Sequence, residues 1–313
     1  MRSRMVRRCL ISAAASGMLL LAGCNGGMEM TEGLSVGAEH EVYDISGDYS
    51  RLDIQAELAD VTVQSGSTAS MEVRLEDGYE IEQTVEDDTL YLTEMDRKPF
   101  WRRIIHFRSA QNSVVITLPH DVIEDLAVSS DVADISISGQ KLHSLSVKQS
   151  SADVFLSDCE GEDFQIENAN GNIQLKNVAA SLRAELQNGD LEILDGSGDS
   201  LHISNQNGKA EASSADYTQI DASSANGDIN LQKVQTDSIT LSNKNGNVSL
   251  ELAGEQALFD YDITNHNGKV MIGENTVGTF HTEFKFSNDA GKQITADLNN
   301  GDLTVTFLGE LQE

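Results

Sequence analysis

The chain has 313 residues, 51 acidic and 21 basic, for a formal net charge of −30. That balance argues against a nucleic-acid partner, because phosphate binding needs a basic face. With 2 Pro against 25 Gly it is no Pro-rich disordered chain, and its length can bury a substantial core.

Residues 1–23 read as an export signal. Arg2, Arg4, Arg7 and Arg8 precede an apolar stretch from Leu10 to Leu21, too short to span a bilayer comfortably. It ends in Leu21-Ala22-Gly23-Cys24, which resembles the bacterial lipobox. The resemblance implies cleavage before Cys24 and a diacylglycerol on its thiol; the plainer alternative is an ordinary signal followed by an incidental cysteine. Loss of the four arginines leaves 17 basic residues against 51 acidic, a charge that opposes self-association. Residues 24–45 are small and polar with no apolar period, and are expected to be a flexible tether.

Residues 46–118 hold a first coil, "LDIQAELADVTV" from Leu52, and the strand-like pieces "SMEVRLED", "YEIEQTV", "DDTLYLTEM" and "NSVVITLP". The pieces are expected to pair antiparallel and cap the end of a stack, which an exposed end needs. Between them lies a basic-aromatic cluster: Arg97, Lys98, Phe100, Trp101, Arg102, Arg103 and Arg108. Its apolar residues suit covering the stack end with the charges solvated. Alternatively it is an interaction segment for anionic head groups or an acidic polymer.

From residue 119 to 313 the chain repeats. One unit is apolar-x-apolar, three residues, a turn, then x-apolar-x-apolar. Units start at Leu126, Leu145, Phe164, Leu182, Leu201, Ile220 and Ile239, spaced 19, 19, 18, 19, 19 and 19 residues apart, and recur at Tyr261 and Ile294. The turn is Asn-Gly at Asn170-Gly171, Asn188-Gly189, Asn207-Gly208, Asn226-Gly227, Asn245-Gly246, Asn267-Gly268 and Asn300-Gly301. Asn-Gly alone suggests a hairpin. Yet each unit is too short to bury a face by itself, and a fixed period lets strands pair in parallel with their copies one coil along. The fold expected is all-β: a parallel β-solenoid of coils near 19 residues with an antiparallel N-terminal cap. Nine coils at about 4.8 Å make a rod of roughly 40 Å. Asn168, Asn205, Asn243 and Asn265 point inward by strand parity, so their amides must stack on one another and the backbone, or cap the bend locally. Cys159, in "SDCEGED", is expected at a turn as an incidental small residue. Residues 279–293 break the repeat and suit a cap at the far end.

The repeated units, and the stretch "VVITLPHDVIEDLAVSSDVADISI" before them, resemble a bacterial family of β-strand-repeat proteins described as putative adhesins, of unknown function. The resemblance implies a β-solenoid at the cell envelope and brings no catalytic residues, cofactor or metal. β-Helices also host polysaccharide lyases and hydrolases, which need clustered carboxylates on one face. The outward second-strand positions here are Ser136, Phe155, Gln174, Glu192, Glu211, Asn230, Ser249, Met271 and Thr304, with only Glu192 and Glu211 adjacent. Asp190, Asp228 and Asp302 follow turn glycines, but Lys209 and Lys269 fill the same slot, which a Ca²⁺ ladder would not tolerate. The seven His residues share no recurring slot, and no aromatic row offers a sugar platform. The expectation is a non-catalytic, lipid-anchored, extracytoplasmic binding or structural module. It would contact the membrane through Cys24 and an envelope polymer or protein partner; an accessory role in envelope-stress signalling is the alternative.

Overall fold

The computed structural model describes residues 39–97, 112–119 and 123–309. A single coil shows how the repeat closes. Phe164, Ile166 and Asn168 point inward on the first side. The chain bends at Asn170-Gly171, and Ile173 and Leu175 point inward on the second side. Asn177, at φ 52°, turns a second corner, and Val178 and Ala180 line a short third side before Leu182 opens the next coil. The left-handed corner recurs at Asp158, Asp195, Ser214 and Lys233. Each strand pairs in parallel with its copy, so Leu126, Leu145, Phe164, Leu182, Leu201, Ile220 and Ile239 form one buried column. The fold is a parallel β-solenoid.

The ends depart from chain order. Ile239 pairs with Ile294, and Tyr261 lies on the far side of Ile294. The last coil of the chain, Lys292–Asn300 with Leu303–Phe307, is thus slotted between two earlier ones. The near end mirrors this. Leu52 lies between Leu126 and Leu90, and Val61 between Ile135 and Val114. Two of the four pieces expected to pair antiparallel, Thr89–Asp96 and Ser113–Leu118, therefore add a parallel rung outside the first coil. The reason is burial: Leu90, Leu92, Val114 and Ile116 continue the inward columns. On their other edge both pair antiparallel as expected, Ser113–Leu118 with Ser70–Leu75 and Thr89–Asp96 with Tyr79–Glu86. The segment read as a tether enters the sheet before residue 45, since Glu39–Asp44 adds antiparallel to Ser70–Leu75 and Tyr43 packs against the core. At the far end Asn275–Gly278 and Thr282–Phe286 pair antiparallel with the outermost coil.

The Asn-Gly corners stack into one column. Their glycines have φ between 130° and 156°, and a Cβ on any of them would collide with a backbone carbonyl of the neighbouring coil. Only glycine lets the coils approach this closely. The turn asparagines are extended rather than left-handed, and their exposed amides bond from coil to coil. Each Nδ2 donates to the next Oδ1, in the order Asn267, Asn300, Asn245, Asn226, Asn207, Asn188, Asn170, at 2.9–3.1 Å. The slot after the glycine forms a further ladder. Asp190 Oδ1 accepts from the Lys209 N–H at 2.8 Å, Asp228 from Asn247 at 2.7 Å and Asp302 from Lys269 at 2.8 Å.

The inward asparagines behave differently from an amide stack. Asn205, Asn243 and Asn265 donate to the carbonyls of Gly189, Gly227 and Gly301 at 3.0–3.1 Å, and Asn168 donates to Ala152 at 2.9 Å. Leu186, Ser224 and Leu298 occupy the rungs between them, so these amides never meet. The first coil lacks Asn-Gly. There the buried Glu94 carboxylate accepts the N–H groups of Glu57, Leu58 and Ala59 at 2.7, 2.9 and 3.1 Å. Cys159 is in a strand rather than a turn, fully buried just after the Asp158 corner, where an inward position selects a small apolar side chain.

Gly227→Val should cost on the order of 3 kcal/mol or more, because the collision is with backbone that cannot move aside. Gln174→Ala, on the exposed face, should cost under about 0.5 kcal/mol. Denaturant titration of both variants checks the difference, and equal midpoints would contradict the close-packed corner.

Candidate functional site

The lateral faces come first. In spatial order the outward second-side column ends Ser249, Thr304, Met271, because the last coil is inserted there. Glu192 and Glu211 do lie on adjacent rungs. Glu211 pairs with Lys209 and accepts from Asn230 Nδ2 at 3.1 Å. These partners, Lys209 first, hold its carboxyl below the usual range, which suits an ion pair and not a proton donor. Burial raises the Cys159 thiol, the opposite of what an activated nucleophile needs. Among the described residues no group of three or more His, Cys, Asp or Glu is placed to hold a metal ion. A shallow polar groove of about 300 Å³ runs beside the turn column, between Lys148, Glu167, Glu185 and Ser204. The Lys148–Glu167 ion pair crosses it at 3.8 Å.

The far end is chemically different. A cleft of about 520 Å³ is lined by Tyr261 and Ile272 of the outermost coil, by Val277, Phe284 and Phe286 of the strands added beyond it, and by Gln256, Ala257, Asn275 and Asn288. Tyr261 packs at 6.1 Å from Phe284 and 6.3 Å from Phe286, centroid to centroid. Pairing explains the cluster: Phe286 sits opposite Tyr261 and Phe284 opposite Ile263, so both rings extend the inward face past the last coil. The Tyr261 hydroxyl donates to the Gln256 carbonyl at 3.1 Å, and burial pushes its pKa up to about 12. Asp260 fixes the rim. It accepts from the Asn288 N–H at 2.8 Å and Ser287 Oγ at 2.9 Å, while Asn288 Nδ2 reaches the Ala257 carbonyl at 2.8 Å. The lining was not evident from the repeat. The alternation in "TEFKF" was its one sequence signal, and only strand pairing brings it to Tyr261.

The expected interaction residues divide. Arg97 is described, and its guanidinium pairs with Glu80 at 2.6 Å and reaches Glu82 at 3.9 Å, which ties it to the neighbouring strand. Lys98, Phe100, Trp101, Arg102, Arg103, Arg108 and the lipobox Cys24 lie outside the described residues. Among the described residues no helix is long and apolar enough to cross a membrane.

The family model for Toastrack DUF4097 matches residues 49–306, from just before the first coil to the last strand. The chain belongs to that family. Toastrack suits the form, a row of parallel rungs held at one spacing. The family match bears out the resemblance read from the Asn-Gly units. The chain is also similar to solved structures. One is a putative adhesin from Bacteroides fragilis, 13% identical, covering 87% of this chain and 97% of that one at a TM-score of 0.43. A putative lipid binding protein from Parabacteroides distasonis is 12% identical, covering 89% and 98% at 0.44. A putative cell adhesion protein from Clostridium sporogenes is 10% identical, covering 86% and 99% at 0.24. At such identities and scores these likenesses carry no argument about what this Toastrack chain binds. No curated protein matches it.

The Asp260 bonds predict a pH response at the far end. The Asn288 N–H is the largest cause of its lowered pKa. A carboxyl whose folded pKa is depressed stabilises above its unfolded value, and that contribution is lost as pH falls through the folded one. The Asn288 amide should therefore keep its hydrogen-exchange protection at neutral pH and lose it below the ordinary value of 3.8. Asp260→Asn should weaken that protection at neutral pH and remove its pH dependence, measured by exchange-detected NMR.

Proposed function

We propose that the protein is a non-catalytic, lipid-anchored module of the bacterial cell envelope that presents a rigid binding or structural surface. One contrast carries this reading. The inward columns and the corner ladders repeat their chemistry from coil to coil, whereas the outward column runs through Ser136, Phe155, Gln174, Glu192, Glu211 and Asn230, where only the two glutamates match. The repeated chemistry serves the rod, and the outward faces are left as a varied, mostly small and polar surface. Such a surface suits broad contact with a polymer or a protein partner. A reaction would need a nucleophile, a base and a charge-stabilising group converging on one point; Glu211 is committed to Lys209, and Cys159 is buried.

The lipobox supplies the anchor in this reading. Cys24 would carry the diacylglycerol, and residues between it and Glu39, where the first described strand starts, would set the rod off from the bilayer. The basic-aromatic residues Arg102 and Arg103 offer a second contact with anionic head groups against an otherwise acidic chain.

Cys24→Ser should abolish incorporation of labelled palmitate in the bacterial host and release the chain from the membrane fraction. Unchanged labelling of that variant would overturn the anchor. In a second measurement, Arg102→Glu with Arg103→Glu should weaken sedimentation with vesicles containing phosphatidylglycerol and remove its salt dependence. Unchanged sedimentation would remove that contact from the proposal.

A further inference from the structure

We propose that the far-end cleft binds the hydrocarbon tail of a neutral amphiphile. The observations are the concavity, its lining and its rim. Inside the rod every inward residue is covered by the coils on either side. At the far end Tyr261 and Ile272, buried inward residues of the outermost coil, form the floor of an open cleft walled by the part-exposed Phe284, Phe286 and Val277. Phe286 remains 48% exposed there. A cleft of about 520 Å³ lies within the roughly 300–1,000 Å³ of small-molecule sites. That size admits a tail or a small ligand and excludes a folded partner.

The lining decides the chemistry. Its polar side chains other than the Tyr261 hydroxyl are the amides of Gln256, Asn275 and Asn288. The hydroxyl is spent on the Gln256 carbonyl and Asn288 Nδ2 on Ala257. A saccharide would bring several hydroxyls to few free partners, whereas a hydrocarbon tail asks only for apolar contact. A charged group entering would lose its water without gaining a counter-ion. Outside, the exposed Glu255 and Glu274 adjoin Gln256 and Asn275, and Lys285 is already paired with Asp262 at 2.9 Å. An anionic head group would therefore meet like charge. A second copy docked end to end would also cover the rings, but two chains of net charge −30 repel one another. The rim is fixed in advance by the Asp260 bonds to Ser287 and Asn288, so little ordering accompanies entry.

The test uses the full-length chain and a neutral dye, N-phenyl-1-naphthylamine, which fluoresces in apolar surroundings. A saturable component of one dye per chain is expected, displaced by dodecyl maltoside below its micelle concentration. Laurate, with the same tail and a carboxylate head, should displace it about ten-fold more weakly. Phe286→Ser should weaken that component about ten-fold, as should Val277→Trp, which fills the cleft without removing a ring. Phe286 is half-exposed, so its variant should keep the parent melting transition; the filling variant decides the matter if it does not. Absence of a saturable component sensitive to either substitution would overturn the proposal. So would equal displacement by laurate, or a concentration-dependent dimer lost in Phe286→Ser. The inference rests on reading the chain as a binding module, and the two fail separately: palmitate labelling and vesicle sedimentation report on the anchor and the basic segment, and the dye reports on the cleft alone.

Discussion

The closest approach between coils is at the Asn-Gly corner, and the rest of the rod is arranged around it. A carbonyl from one coil occupies the space where a side chain on the next glycine would stand. This fixes the coils at backbone contact on one edge. It also brings the turn asparagines near enough for their amides to bond in an unbroken line from Asn170 to Asn267. Stacked amides of this kind are found where identical strands lie in register, because each rung offers one donor and one acceptor along the axis. With the corner fixed, parity places Phe164, Leu182, Leu201 and Ile220 in one column, and the buried apolar area follows. The carboxylates after the glycines complete the corner by accepting backbone N–H groups that parallel pairing leaves over. This is why Lys209 and Lys269 are tolerated in that slot: each donates its N–H inward along the ladder and owes nothing with its side chain.

A stack of parallel rungs has two ends, and both are resolved in the same way. The first and last coils of the chain each lie one rung in from an end, covered by a coil that comes from elsewhere in the sequence. Antiparallel strands then close the outermost rungs. A coil left at the end of a stack would expose a row of unpaired backbone groups. Placed one rung inward, the first and last coils are paired on both sides. Corners that lack Asn-Gly are satisfied by other means, as at Glu94, whose single carboxylate gathers three backbone N–H groups.

Regularity and chemistry are separated in this molecule. The middle of the rod repeats and is spent on holding itself together. The distinctive surface among the described residues is where the repeat stops, at the aromatic cleft of Tyr261, Phe284 and Phe286.

Much of the fold was legible in the sequence, because the information is local and repeated. A period near 19, apolar alternation on both sides of each turn and Asn-Gly at seven of the corners specify parallel coils. What the sequence left undecided depends on contacts between distant segments. The inward asparagines could have stacked or capped; the alternation with Leu186, Ser224 and Leu298 shows its effect only once the rungs are in register. The strand pieces at Thr89 and Ser113 pair antiparallel on one edge as read, and the buried columns of the first coil also draw their other edge into parallel register. Nor does chain order reveal that Ile294 lies between Ile239 and Tyr261, because each coil fits any apolar neighbour of matching register. The cleft exists only because of that insertion, which leaves the Tyr261 coil outermost and sets Phe284 and Phe286 beside it. Local pattern determined the repeating unit; the tertiary structure decided the order of the rungs, because pairing energy depends on register and burial and not on distance along the chain.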